Sequence, residues 1–218
     1  MRNKFEEQLT MLHEMLVEMG SMIEKAIAMA IEALIEQNGE KALEAMEYDR
    51  EIDQMEKDIE ALCLRLLLQQ QPVAKDLRLI SAALKMIKDM ERIGDQAADI
   101  SEIALMLIGE TYIRKLEDIP KMAVTASKMV TESIDAFVKK DIELAYAVIE
   151  SDDVVDMFFT NIKNNLIELI RADKENGGQA MDFLMIAKYF ERIGDHATNI
   201  AEWVVFSITG KHWNEQMA

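Results

Sequence analysis

A single cysteine, Cys63, excludes an intramolecular disulfide framework. It sits in an apolar pattern (Ala61, Leu62, Leu64, Leu66) that predicts a buried, unreactive thiol and fits a reducing cytoplasm. Proline and glycine are also scarce, two and eight in 218 residues, so the chain offers few of the turns that an all-β fold needs. Basic residues are outnumbered 24 to 41, which gives a net charge of −17. Nucleic acid is therefore disfavoured as a partner, because phosphate contacts need clustered Lys and Arg. No apolar run reaches the ~18–20 residues of a membrane span, and the opening MRNKFEEQLT lacks the apolar core of a signal peptide. The expectation is a soluble, cytoplasmic protein that does not span a membrane.

What the sequence has in quantity is helix formers: seventeen methionines with many Ala, Leu, Ile, Glu and Lys. Apolar residues recur at three- and four-residue steps from about Lys4 to Glu36 (Leu9, Leu12, Leu16, Met19, Ile23, Ile27, Ala30, Leu34), the period of an amphipathic helix. Asn38-Gly39 breaks that pattern. A second one (Leu43, Met46, Ile52, Met55, Ile59, Leu62, Leu66) runs to a turn at Gln69-Gln70-Gln71-Pro72. A third, about Ala74 to Leu107, places Leu79, Ala83, Met86, Met90, Ile93, Ala97, Ile100 and Ala104 on one core stripe before Gly109 stops it.

The second half repeats the plan. Pro120 opens a helix to about Lys139, Asp141 caps the next to about Asp173, and Asn176-Gly177-Gly178 ends the hairpin. A last helix, about Gln179 to Thr209, carries Phe183, Ile186, Phe190, Ile193, Ala197, Ile200 and Val204 on its stripe, and Gly210 closes it. The predicted fold is all-α: two tandem, similar three-helix bundles, residues 1–110 and 111–218.

The repeat extends to single words. ERIGDQAADI at 91–100 returns as ERIGDHATNI at 191–200, and EYDREIDQM at 47–55 lies over ESDDVVDMF at 150–158. The offset is 103 in the earlier words and 100 in the later ones, which assigns a three-residue difference to the intervening turn. At 100° per residue Glu91, Asp95, Asp99 and Glu102 fall within about 80° of one another, opposite Ile93, Ala97 and Ile100. They form an acidic stripe directed away from the bundle core. Asp49, Asp53, Glu56 and Glu60 form another on the second helix; the later copies keep Glu191, Asp195, Glu202, Asp152 and Asp156 but have Asn199 where the first has Asp99.

A solvated face is the bland account of such stripes. Like charges at i,i+4 nevertheless destabilise a helix by about 0.2–0.5 kcal/mol each. Carboxylates converging from adjacent helices are what hard cations require, and a bound cation would turn the repulsion into attraction. Gly94 and Gly194 cost about 1 kcal/mol each inside a helix, and either tight helix packing or a ligand would account for them. Arg92 and Arg192 are expected in structural salt bridges. His196 replaces Gln96 between the copies and is expected to be a satisfied surface histidine. No Glu-x-x-His, His-Glu-x-x-His, phosphate loop or nucleophile–base set occurs.

Two three-helix units with paired Asp/Glu-x-x-x-Asp words and the run Glu-Arg-Ile-Gly-Asp-x-Ala-x-x-Ile resemble the PhoU proteins, regulators of phosphate uptake and phosphate signalling in bacteria, over nearly the whole chain. The resemblance implies a cytoplasmic, homodimeric accessory protein. It would act with a phosphate ABC transporter and a membrane sensor histidine kinase to restrain the phosphate-starvation response. It also implies metal ions on the acidic words, multinuclear iron or zinc clusters among them, with magnesium or another divalent cation as alternatives. By motif position one site takes Asp49, Asp53, Glu91 and Asp95, and the other Asp152, Asp156, Glu191 and Asp195. No catalytic residue is predicted. Two rival readings use the same features: a metal-dependent enzyme or metal store, and a helical adaptor without metal.

Overall fold

In a computed structural model of the chain, residues 2–69, 73–113 and 118–213 are described. They fold into six long helices: α1 (Arg2–Glu36), α2 (Gly39–Gln69), α3 (Ala74–Met106), α4 (Asp118–Lys139), α5 (Ile142–Ala172) and α6 (Gly177–Thr209). No strand occurs among the described residues, and none of their helices is long and apolar enough to cross a membrane. The first three helices pack on one another as one bundle and the last three as a second.

The apolar stripes read from the sequence form the core. Leu12, Leu16, Met19, Ile23 and Ile27 of α1 are buried, as are Met86, Met90, Ile93, Ala97 and Ile100 of α3 and every predicted stripe residue of α6. Burying one such Ile or Leu contributes about 1.5–3 kcal/mol. At the start of α2 the stripe differs from expectation: Leu43 is exposed, and Ala42 and Ala45 take the core face.

Helix ends follow local chemistry. Asn38 Oδ1 accepts from the amides of Glu40 and Lys41, and Asp141 Oδ1 from that of Leu144, each satisfying amides at the start of a helix. Pro120 lies in the first turn of α4, and Gly109 and Gly210 supply positive φ where α3 and α6 have ended. The α5–α6 hairpin closes earlier than predicted. Asp173 caps a short 3-10 turn over Lys174–Asn176, Asn176 Nδ2 donates to the Leu169 carbonyl, and Gly177 and Gly178 therefore open α6.

Residues 70–72 of the predicted first-half turn lie outside the described residues, but the helix bounds relocate the three-residue difference. α3 begins 20 residues before Gly94, whereas α6 begins only 17 before Gly194. The extra residues are nearly one helical turn at the head of α3. An insertion of that length keeps the helix close to its original phase, so the helix can absorb it.

The bundles join along α3 and α6, with α1 against α4 beside them. Asp89 of α3 meets His196 Nδ1 at 2.9 Å and accepts from Asn199 Nδ2 at 3.0 Å. Ten residues further along α3, the Asp99 carboxylate accepts from the Tyr189 hydroxyl. The two helices thus run antiparallel past one another. His196 is satisfied as expected, but it lies at this seam and not on the open surface.

Candidate metal centre

α2 and α3 cross at a glycine. A β-carbon at Gly94 would fall among Asp49 and Ile52, and its absence lets α2 bring Asp49 against the third helix. Tight packing and site building are therefore the same feature here. Carboxylate oxygens of Asp49, Asp53 and Asp95 all lie within 4.8 Å of one another, and Oδ1 of Asp49 is buried without a hydrogen-bond partner. The α3 stripe does not simply point outward, as its own periodicity suggested. Its Asp95 faces the acidic stripe of α2, and the site is half-buried between the two helices.

The electrostatics record this crowding. Burial, then the charges of Asp95, Asp53 and Glu91, push the Asp49 carboxyl up to about 6. Glu91 is raised by burial and by Asp95, with Arg92 opposing. Arg92 is the local counter-charge: its Nη1 donates to Asp95 Oδ2 at 2.8 Å, and its Nε lies 3.6 Å from Glu91 Oε2, the salt bridge predicted for it. Three close carboxylates, one with an orphaned oxygen, fit a hard cation that accepts oxygen ligands. Asp49, Asp53 and Asp95 would hold it, with Glu91 alongside.

The second half uses the same plan with different neighbours. Asp152 is pushed up to about 6 by burial and then by Asp195, Asp156 and Glu191, so these four share one electrostatic site. Among the described residues, however, the trio of Asp49, Asp53 and Asp95 alone reaches ligand-like mutual spacing. Gly194 leaves a looser contact than its counterpart, with a would-be β-carbon 3.3 Å from Val155 Cγ1 and 3.4 Å from Asp152 Oδ1.

Two lysines outside the acidic words also differ in their partners between the halves. Lys88 precedes Glu91 by three residues as Lys188 precedes Glu191. In the first half Lys88 Nζ reaches across to α2 and lies 2.8 Å from the buried Glu56, so Glu56 leaves the acidic stripe and becomes part of an ion pair. The corresponding position in α5 is Phe159. Without that carboxylate Lys188 sits 5.5 Å from the Phe159 ring centroid and pairs with Glu191 itself. The repeated spacing of Lys88 and Lys188 was the available signal; the partner each one takes depends on the facing helix.

The fold agrees with that of known proteins. The PhoU domain model matches twice, over residues 16–104 and 119–204. The phosphate-specific transport system accessory protein PhoU homologue of Clostridium acetobutylicum is 40% identical over 211 residues, covering 96% of each chain. The homologue of that name from Pseudomonas aeruginosa is 34% identical over 208 residues, 95% of this chain and 86% of that protein. The crystal structure of PhoU from Pseudomonas aeruginosa superposes with a TM-score of 0.92 at 34% identity, covering 95% of this chain and all of that one. That of the phosphate transport system regulatory protein PhoU from Streptococcus pneumoniae gives 0.88 at 25% identity, over 95% and 98%. These relatives are named as accessory or regulatory proteins and not as enzymes. Two domain matches along one chain, on two bundles that each carry the acidic words, make the chain a member of the PhoU family.

Proposed function

We propose that this chain regulates phosphate uptake as an accessory protein of a phosphate ABC transporter, and that it carries a cation on Asp49, Asp53 and Asp95. The observation that supports the cation is the trio within 4.8 Å that includes an aspartate pushed up to about 6. The relatives' names support the transporter. A cation there would fix α2 against α3, replacing mutual repulsion with shared coordination. The same proposal places the protein in the cytoplasm, as a homodimer that meets the transporter and a sensor histidine kinase at the inner face of the membrane. Iron fits a multinuclear arrangement of carboxylates, with zinc or magnesium as alternatives. Asp152, Asp156, Glu191 and Asp195 form the second site, which must displace Lys188 from Glu191 to use that carboxylate.

Elemental analysis of protein purified without chelator tests the cation. Metal should be present and should fall in the Asp49→Asn/Asp95→Asn double variant; a metal-free wild type that is folded would sink this part. The regulatory part is tested in cells deleted for the gene, with a phosphate-starvation reporter in phosphate-rich medium. The wild-type gene should restore repression, and a failure to do so at normal protein level would exclude the role.

A further inference from the structure

The extra first turn of α3 opens onto a cavity of about 590 Å³, bounded also by the start of α1, the end of α6 and the α4–α5 turn. Arg78 at this end and Asp95 in the acidic centre are seventeen residues apart on one helix, about 25 Å, so the two sites are separate. The charged lining comprises Lys75, Arg78 and Lys140 against Glu6 and Asp76, an excess of positive charge in a chain of net −17. Burial and the nearby Lys140 hold His13, also in the lining, below its ordinary pKa, and it adds no charge at neutral pH.

These cations are not committed elsewhere. Among the described residues Lys75, Arg78 and Lys140 make no ion pair, and the Nε of Arg78 is buried without a hydrogen-bond partner. Arg78 runs past Gly210, where an added β-carbon would lie 3.4 Å from its Cδ and 3.5 Å from its Nε. Leu9, Leu79 and Ile208 give the cavity an apolar wall.

Three cations provide more donors than a carboxylate needs and match a group with several terminal oxygens. The cavity is several times larger than a bare phosphate ion and falls in the size range of small-molecule sites, about 300–1,000 Å³. We propose that this pocket binds a small organic phosphate, with its phosphoryl group on Arg78, Lys75 and Lys140 and its organic part against Leu9, Leu79 and Ile208. Glu6 and Asp76 then face the organic part, where they can accept hydrogen bonds from hydroxyl groups, and they limit the positive charge to one that suits a monoester.

Isothermal titration of the full chain with AMP, glucose 6-phosphate, adenosine and inorganic phosphate tests this. At least one monoester should bind saturably, adenosine should not, and inorganic phosphate should bind more weakly than that ester. Arg78→Gln should weaken the ester about tenfold or more, the scale of one charge-assisted hydrogen bond. The exposed Lys75→Ala and Lys140→Ala variants should also weaken it, with unchanged melting temperatures, which covers the case where Arg78→Gln perturbs packing on Gly210. Asp49→Asn should leave binding intact, so failure of the metal proposal does not affect this one. The assignment is overturned if neither ester saturates by about 10 mM. It is equally overturned if adenosine binds as well, if inorganic phosphate binds as tightly as the ester, or if none of the three cation variants weakens binding.

Discussion

A β-carbon at Gly94 would fall 3.0 Å from Oδ1 of Asp49 and 3.1 Å from Cδ1 of the fully buried Ile52. Alanine is normally worth about 1 kcal/mol over glycine within a helix. At position 94 neither neighbour can yield cheaply, because Ile52 is packed in the core and Asp49 is held among other carboxylates. Gly94→Ala should therefore lower thermal stability and cation affinity together. At position 194 the closest contacts are 3.3 and 3.4 Å, so the buried Val155 has less to yield and Gly194→Ala should cost less than Gly94→Ala. Parallel melting curves, with and without added Mn²⁺, check the contrast; equal effects of the two substitutions would remove it.

The raised carboxyls give a pH dependence with a definite sign. Asp49 and Asp152 are pushed from an ordinary 3.8 to about 6 in the folded protein, so between those values the folded state holds protons that the unfolded chain has released. Their stabilising contribution is complete below the unfolded pKa and is lost as pH rises through about 6. Chelator-treated protein should therefore melt higher at pH 5.5 than at pH 7, by a few degrees for a chain of this size. Metal-loaded protein should show the opposite trend, because protons compete with the cation. Calorimetry of the metal-free Asp49→Asn/Asp152→Asn variant should show the rise reduced; a rise of the same size would assign it to other groups.

Much of this arrangement is legible in the sequence because it is periodic. The stripes through Ile93 and Ile193, the stops at Gly109 and Gly210 and the repeated acidic words all follow from spacing within one helix. What spacing does not contain is which face of the next helix arrives opposite. Glu56 reads as one more member of an acidic stripe until α3 brings Lys88 against it. The two sites have matching ligand letters, and the letter that separates them, Phe159 for Glu56, lies outside the words. His196 reads as a surface residue for the same reason, since its partner Asp89 belongs to the other bundle. Period alone puts Leu43 in the core, but the alanines beside it fill that face.

Cys63 is fully buried, and burial, with the charge of Glu60, pushes its thiol up to about 12. The thiolate is the reactive form, so both access and ionisation suppress chemistry at this residue. A disulfide reagent such as DTNB should label it only as fast as the native protein opens, and rapidly in denaturant. Stoichiometric labelling of the native protein within seconds would contradict the packing of α2 at this level.

The two lysines allow the inequality of the metal sites to be separated from simple stability. Removing Lys88 strands Glu56, which is buried, and an unpaired buried charge costs more than the about 1–3 kcal/mol of a neutral unsatisfied group. Lys88→Met should therefore destabilise the protein whether or not a cation is present, since Glu56 is outside the Asp49, Asp53 and Asp95 trio. Removing Lys188 instead frees Glu191, which already raises Asp152 and Asp195 in the second site. The metal-free Lys188→Met protein should be less stable through added repulsion, but its stabilisation by cation should be larger than that of the wild type, because Glu191 no longer has to exchange a lysine for a metal. Melting temperatures of both variants across a Mn²⁺ titration read the difference. A cation response in Lys188→Met no larger than in the wild type would mean that Lys188 does not restrain the second site, and its inequality would then lie in the looser contact of Gly194 with Asp152.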